Sequence, residues 1–247
     1  MILTDDNFAT IVKAVEFGRA IYVNLSNFIR FQMAALVGFI AAYLGAAFFV
    51  IAGGVPFTPF VVLWINFLVQ VPVAIALGFD KPAPGLMEHK PRPLSQPVLS
   101  RSQWVRIVFL GLLMAIGTLT LESMYATVTA PDGSEIAPTM AFVVFSLFNI
   151  VIALSARSET GSAFNRDIFH DRNQLMLYGL ALLFIILPVE LGFPRFLGLA
   201  QLTGDQWLIC IGFAIALLLV DEVIKVFMRS RRSKAQPAPA AAVSSNA

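Results

Sequence analysis

Long apolar segments alternate with short polar ones along most of the chain. Each apolar segment has close to the 20 residues that an α-helix needs to cross about 30 Å of hydrocarbon. Apolar and polar residues do not alternate with a period of two, so the pattern does not predict a β-barrel. It predicts an all-α integral membrane protein with six transmembrane helices. The predicted spans lie at about 29–52, 58–79, 104–127, 138–155, 174–192 and 206–228.

Polar segments flank this six-helix module, which occupies residues 28–228. In residues 1–27, Thr4 is a candidate N-cap and Phe8, Ile11 and Val15 recur at helical spacing. This segment is expected to form a short cytoplasmic stalk helix, and two partners for its apolar face stay open: lipid or a further protein domain. Residues 229–247 are first basic and then rich in Ala, Pro and Ser. That composition is typical of a disordered tail.

Composition and charge place the chain in a membrane and orient it. Hydrophobic residues make up 58% of the sequence and charged residues 13%, against about 25% charged residues in soluble domains. If the N-terminus is cytoplasmic, Arg195 is the only one of the 17 Lys and Arg residues on the outer side. The positive-inside rule therefore predicts that both termini are cytoplasmic. We expect a multi-pass protein of the plasma (inner) membrane.

Polar residues interrupt the middle of the second predicted span. Asn66 and Gln70 are four residues apart and share one helix face. Pro72 lacks an N–H and clashes with the carbonyl of Leu68, which predicts a helix break and a free carbonyl. With Asn149 of the fourth span, these groups are candidate oxygen ligands for an ion. The alternative is that the amides hydrogen-bond neighbouring helices, and with no carboxylate nearby we do not expect strong calcium binding.

Seven charged residues fall inside the predicted spans, of which Arg30 and Arg106 lie close to the cytoplasmic ends. Glu122 and Glu190 lie near the outer ends of the third and fifth spans, where we expect their carboxylates to reach water. Asp221 and Glu222 precede Lys225 by about one helical turn, a spacing that favours ion pairing within the helix.

Motifs of soluble catalysis are not found in the sequence. It contains no Walker loop, no Gly-rich dinucleotide turn, no metal-ligand cluster and no nucleophile–base pair. We therefore predict no catalytic residue, no certain metal ligand and no cofactor for this chain alone. The expected partner is the lipid bilayer, and no nucleic acid is expected.

Several short motifs resemble the C-terminal membrane region of P-type cation-transporting ATPases, closest to the type II, calcium-pump-like members. The resemblance covers residues 1–230 or so and implies that the six spans correspond to the fifth to tenth spans of that family. Its first part resembles the end of the phosphorylation domain, which continues as a stalk into the fifth span. The motifs are LTDDNFATIV at 3–12, GRAIY at 18–22, FIR at 28–30, LWIN at 63–66, AIALGF at 74–79, Pro91-Arg92, and LVDE at 219–222 with Lys225.

The resemblance also implies differences from a complete, calcium-binding pump. The phosphorylation motif DKTGT, the nucleotide-binding domain and the actuator loop, which use ATP and Mg²⁺ in the family, are not in this sequence. We therefore expect no ATP hydrolysis by this chain alone. Where the family's fifth span has Asn and Glu, this chain has Leu36 and Phe39. In the sixth span Asn66 is kept, but Val69 and Gln70 replace Thr and Asp.

The function that the resemblance implies is that of the membrane module of a cation-transporting pump. A transported cation and a separate chain carrying the missing half of the pump are then the implied partners. Two alternatives stay open: a non-catalytic scaffold or regulatory partner of a pump, and a degenerate fragment without transport. A passive channel ranks below both, because no span resembles a selectivity filter. The sequence leaves open whether the protein is an enzyme and which ion it handles.

Overall fold

The computed structural model describes residues 8–80, 86–88, 93, 97–131, 133–157, 172–192 and 195–235, with side chains as far as residue 227. The N-cap predicted at Thr4, the Pro91-Arg92 motif and the tail from residue 236 onward lie outside the described residues. Within the described ranges, six helices are long and apolar enough to span a membrane. The predicted all-α, six-span fold is therefore confirmed.

The helices follow the predicted spans closely. The second span is built from three helical pieces, α2, a π-helical segment and α3. Two short 3₁₀ turns, Ile51–Gly54 and Arg195–Leu197, follow α1 and precede α7. The helices are α1 Phe8–Phe49, α2 Pro59–Trp64, the π-helical segment Ile65–Gln70, α3 Val71–Gly78, α4 Arg101–Met124, α5 Ala137–Ala156, α6 Arg172–Glu190 and α7 Gly204–Ala235.

Helix α1 joins the predicted stalk and the first span without a break. Its 42 residues correspond to about 63 Å at 1.5 Å per residue, roughly twice the thickness of the hydrocarbon. The first half of α1 therefore projects beyond the spanning part, and its apolar side chains Phe8, Val12 and Val15 are exposed. We call the side of the bundle where α1 begins and α7 ends the near side, and the opposite side the far side. The far side carries the turn at 50–58 and the far-side hairpin, which we define by the antiparallel bridge between Thr129 and Glu135.

Helix α5 forms the centre of the bundle. It contacts α1, α3, α4, α6, α7 and the π-helical segment, and Phe142, Phe145 and Phe148 on it are almost fully buried. No charged residue occurs between Ala137 and Ala156. A helix without charged side chains can be enclosed by other helices without burying a charge, which is consistent with its central position.

Small residues allow α1 and α4 to pack closely. On α4, a Cβ added at Gly111 would lie 2.9 Å from the backbone oxygen of Ala34 and 2.7 Å from a methyl group of Val37. On α1, a Cβ at Gly38 would lie 3.1 Å from the sulfur of Met114. Close backbone approach is the usual way that membrane helices associate, because lipid offers no hydrophobic driving force between them.

A buried cluster of charged residues joins α4, α5 and α7 in the half of the bundle toward the near side. Arg106 donates from Nε and Nη2 to Oδ1 of Asp221, at 2.8 and 2.6 Å, and from Nη2 to the hydroxyl of Ser155 at 2.7 Å. Lys225, which is 0% exposed, lies 3.3 Å from Asp221 and 3.1 Å from Glu222. The predicted pairing of Asp221 and Glu222 with Lys225 is confirmed, and Arg106 is an additional partner. Two cations and two anions leave the cluster neutral.

A second polar cluster joins the near-side ends of four spans. Arg157, after α5, donates to both carboxylate oxygens of Asp80, at 2.8 and 2.6 Å. Gln174 on α6 donates to the same carboxylate at 2.9 Å. Asn24 on α1 donates to the backbone oxygens of Asp80 and Gly78, at 2.8 and 3.1 Å. The end of the second span is therefore held to α1, α5 and α6 at once.

We predict that Gly111→Ala destabilises the protein by about 1–3 kcal/mol, because the new methyl group overpacks the contact with Val37 and Ala34. Gly179→Ala is the matched control. It lies in α6 with nothing within 4 Å of the added Cβ, so it should be neutral or stabilise the helix by up to about 1 kcal/mol. Thermal unfolding of both variants in detergent measures the difference. Equal effects would contradict the close packing of α1 and α4.

We predict that Asp221→Asn destabilises the protein by about 3–5 kcal/mol, because the buried Arg106 then loses its carboxylate partner and Lys225 keeps only Glu222. Glu135→Gln removes a charge of the same sign from an exposed position in the far-side hairpin, and its effect should stay within about 0.5 kcal/mol. Unfolding of the two variants under the same conditions is the measurement. A loss below about 1 kcal/mol for Asp221→Asn would contradict a structural role for this cluster.

Candidate ion-binding site in the membrane

The second span changes its helical register at its midpoint. Residues Ile65–Gln70 are π-helical, and α-helix resumes at Val71. The dihedral angles remain helical through this change, with φ −76° and ψ −34° at Gln70. Pro72 stands in the first turn of α3, where its missing N–H is tolerated. The interruption associated with Pro72 is therefore a wider helical turn preceding the proline, and the segment does not unwind.

A π-helical turn is a common feature of functional sites in helices. It adds a residue to the turn and changes which backbone carbonyls are paired. Here the turn begins just before Asn66 and ends at Gln70, so both candidate amides lie within it. The widened turn therefore coincides with the polar part of the span.

The structure brings Gln70 and Asn149 together in the interior of the bundle. The side-chain amide of Gln70 donates to Oδ1 of Asn149 at 3.1 Å, and the amide of Asn149 donates to the backbone oxygen of Phe145 at 2.8 Å. Both residues are almost fully buried. Asn66 instead donates to the backbone oxygen of Val62, one turn earlier in its own helix, at 2.8 Å.

Aromatic side chains occupy the neighbouring space between α1 and α5. The ring of Phe39 lies 4.3 Å from that of Phe145 and 5.7 Å from that of Phe57, measured between centroids. The hydroxyl of Tyr43 donates to the backbone oxygen of Phe57 at 2.8 Å. Leu36 is 46% exposed and lies outside the core. The two α1 positions where the resemblance implies polar ligands are therefore apolar, and one belongs to an aromatic cluster.

Ser146 is a further polar residue of this region that the sequence interpretation did not include among the candidates. It lies one turn before Asn149 and is fully buried, and its hydroxyl has no hydrogen-bond partner among the described residues. Serine in a helix usually bonds the carbonyl four residues earlier, so a free hydroxyl is unusual. The sequence shows a serine in an apolar span, but the state of its hydroxyl depends on packing.

The candidate ligands are therefore neutral oxygens. The amide oxygens of Gln70 and Asn149 and the hydroxyl of Ser146 carry no net charge, and no group of three or more His, Cys, Asp or Glu residues occurs in the described part of the chain. Divalent cations are usually held by carboxylates. The arrangement is suited to weak binding of a cation of low charge.

Comparison with known proteins agrees with this architecture. Residues 54–227 match the family model described as "Cation transporting ATPase, C-terminus". The calcium-transporting ATPase of Bacillus subtilis is 34% identical over 219 residues, which are 87% of this chain and 24% of that protein. Calcium-transporting ATPase 1 of Schizosaccharomyces pombe is 33% identical over 234 residues, 94% of this chain and 25% of that protein.

A plant relative extends the same pattern. "Calcium-transporting ATPase 8, plasma membrane-type" of Arabidopsis thaliana is 26% identical over 235 residues, 92% of this chain and 22% of that protein. The chain thus spans about a quarter of the length of these relatives. The matched region and the six apolar helices together confirm the resemblance read from the sequence. The chain belongs to the P-type cation-transporting ATPases and corresponds to the C-terminal membrane region of their calcium-pump-like members.

Proposed function

We propose that this chain is the ion-conducting membrane module of a pump. The ion would pass between the second and fourth spans, beside the π-helical segment of the second span. The observation that carries the proposal is the buried Gln70–Asn149 pair at the end of that segment. Polar groups in the interior of a membrane protein are costly and commonly mark an ion or proton path. The unpartnered hydroxyl of Ser146 provides a third oxygen on the same part of α5.

We propose that the transported ion is monovalent. The relatives are named for calcium transport, yet Gln70 and Phe39 occupy positions where the resemblance implies carboxylates. Neutral oxygens compensate the charge of a divalent ion poorly, whereas a monovalent ion costs less to transfer into such a site. The neutral charge of the candidate ligands supports the choice of a monovalent ion.

The energy for transport would come from parts of the pump outside these residues. The relatives are about four times longer than the matched region, and we propose that ATP hydrolysis, with its Mg²⁺, takes place in such parts, in the same polypeptide or in a partner chain. The projecting first half of α1, with exposed Phe8 and Val12, is the element through which they would act. We further propose a plasma-membrane location with the near side in the cytoplasm.

A scaffold without transport is the second candidate, and a specific observation favours it. Gln70 and Asn149 bond each other, and Asn66 bonds its own helix. Amides that are already hydrogen-bonded in this way are sufficient to hold two helices together without binding an ion. The scaffold and the pump differ in one respect that can be measured, which is whether a cation stabilises the protein.

We predict that K⁺ or Na⁺ raises the thermal stability of the chain above its value in choline chloride, by about 2.7 kcal/mol at 100 times Kd. Gln70→Leu combined with Asn149→Leu should abolish this cation-dependent part. Replacing both partners leaves no buried amide unpaired, so the stability in choline should change little. Thr120→Val, which removes an exposed hydroxyl of α4, is the control and should keep the cation effect. Stability that is independent of cations in the unmodified chain would favour the scaffold.

We predict that Glu135→Cys is labelled by a membrane-impermeant thiol reagent in intact cells, and that Glu88→Cys is labelled only after permeabilisation. Both positions are exposed, Glu135 in the far-side hairpin and Glu88 in the near-side link after α3. The native Cys210 is fully buried, so it should contribute little background. The reverse labelling pattern would overturn the proposed orientation.

A further inference from the structure

A buried acid lies in α4, away from the amide pair. Glu122 is two residues from the end of the helix, and the sequence pattern led us to expect that it reaches water. That expectation is wrong, because Glu122 is 1% exposed. The 3₁₀ turn Ile51–Gly54 and α1 both pack against α4, and proximity to a helix end gives access to water only where no other segment covers it.

The buried face of α4 carries polar groups without partners. Both carboxylate oxygens of Glu122 lack a hydrogen bond within the described part of the protein, and so does the hydroxyl of Thr118, one turn earlier. The exposed hydroxyls of the same helix behave differently. Thr120 donates to the backbone oxygen of Ile116 at 2.7 Å, and Ser123 donates to that of Thr120 at 2.9 Å. On this part of α4, the side chains without a hydrogen-bond partner are therefore those on the buried face.

The elements around this face carry no charge that could neutralise an ionised carboxylate. Between Phe31 and Phe49, α1 has no charged residue, and neither has α5 or the turn Ile51–Gly54. On α7, the residues before Asp221 include one charged residue, Asp205, which is exposed. In the far-side hairpin, the carboxylate of Glu135 is exposed as well.

The other titratable groups of these elements do not provide a positive charge either. The hydroxyl of Tyr43 on α1 donates to the backbone oxygen of Phe57. Tyr125, at the end of α4, and Cys210 on α7 provide no positive charge, because tyrosine and cysteine side chains have no cationic form. An isolated ionised carboxylate in such surroundings costs several kcal/mol, and the neutral carboxyl group costs far less.

We propose that Glu122 is a proton-binding site, distinct from the candidate cation site at Gln70 and Asn149. The carboxylate takes one proton from water on the far side and becomes a neutral carboxyl group. Release of the same proton reverses the step, and no other bond changes. A proton is the ligand that fits, because one carboxylate is sufficient to bind it, whereas a hard cation requires about six oxygen ligands.

Although Glu122 is buried, the far side is the nearer source of a proton. It lies within one turn of the end of α4, about 3 Å along the helix axis at 1.5 Å per residue. The near side is separated from it by the remaining length of the helix. The proposal does not rest on the proposed cation transport, because a proton can bind at Glu122 whether or not a cation binds between the second and fourth spans.

Infrared spectroscopy of the full 247-residue chain in lipid bilayers tests this proposal. We expect the C=O stretch of a protonated carboxylic acid at neutral pH, and a shift of that band after transfer to D₂O. The band should be lost in E122Q and retained in E190Q. Glu190 is the matched control, because it is exposed and accepts a hydrogen bond from Trp207 at 2.7 Å. E122D keeps a carboxyl group and should show the band again, so a folding defect of one variant would not hide the result.

Three outcomes would overturn the proposal. The first is the absence of the protonated band at neutral pH, or its persistence in E122Q. The second is a band that belongs to Glu122 but does not shift in D₂O, since the carboxyl group would then be sealed from water. The third is a band that disappears as NaCl, KCl or CaCl₂ is added at constant pH, which would identify a cation site. Retention of the band in all three salts supports proton binding.

Discussion

The interior of a bilayer offers no hydrogen-bond partners, so a polar group within a span must find its partner in the protein. This constraint determines which helices are neighbours on the near side. Arg106 and Asp221 are 115 positions apart in the sequence, and Asp80 and Arg157 are 77 apart. Each of these charges would be costly in hydrocarbon alone. Their pairing connects α4 with α7 and the end of the second span with α5, and it restricts the number of arrangements that the six apolar helices can adopt.

The same constraint accounts for the composition of the candidate ion site. A carboxylate at position 70 would face the neutral amide of Asn149, with no cation to balance it when no ion is bound. Gln70 removes that charge and keeps an oxygen and a hydrogen-bond donor. The substitutions at positions 39 and 70 are therefore consistent with each other. Neutral side chains at these positions leave no charge to balance without an ion, and they would attract an ion less strongly than carboxylates do.

Much of the fold could be predicted from the sequence, because the length of an apolar segment is a local property. The third span was predicted at 104–127 and is found at Arg101–Met124. The shift has a specific cause, since Ser100 and Gln103 form a capping box that begins the helix earlier, with Ser100 N–H donating to Gln103 at 2.7 Å. The pairing of Asp221 with Lys225 was likewise visible from the spacing of four residues.

Features that depend on contacts between distant segments could not be predicted. Pro72 indicated an interruption of the second span, but its form as a π-helical turn ending at the Gln70–Asn149 bond depends on α5. Arg106 joins the α7 charges only because α4 and α7 are neighbours. Glu122 was expected to reach water because it lies near the end of its helix. Its burial depends on packing between segments that are distant in the sequence.

Two chemically different sets occur among the unpartnered polar groups of the described spans. A buried polar atom without a hydrogen bond costs about 1–3 kcal/mol, so such atoms persist in a packed bundle most readily where a ligand binds. Ser146 lies on α5 one turn before Asn149, whereas Thr118 and Glu122 are buried residues of α4 toward its far-side end. Neutral oxygens suit a cation that must be released easily, and an isolated carboxyl group suits a proton. The two proposed ligands, a cation and a proton, would therefore bind at separate places and would not compete for the same charge.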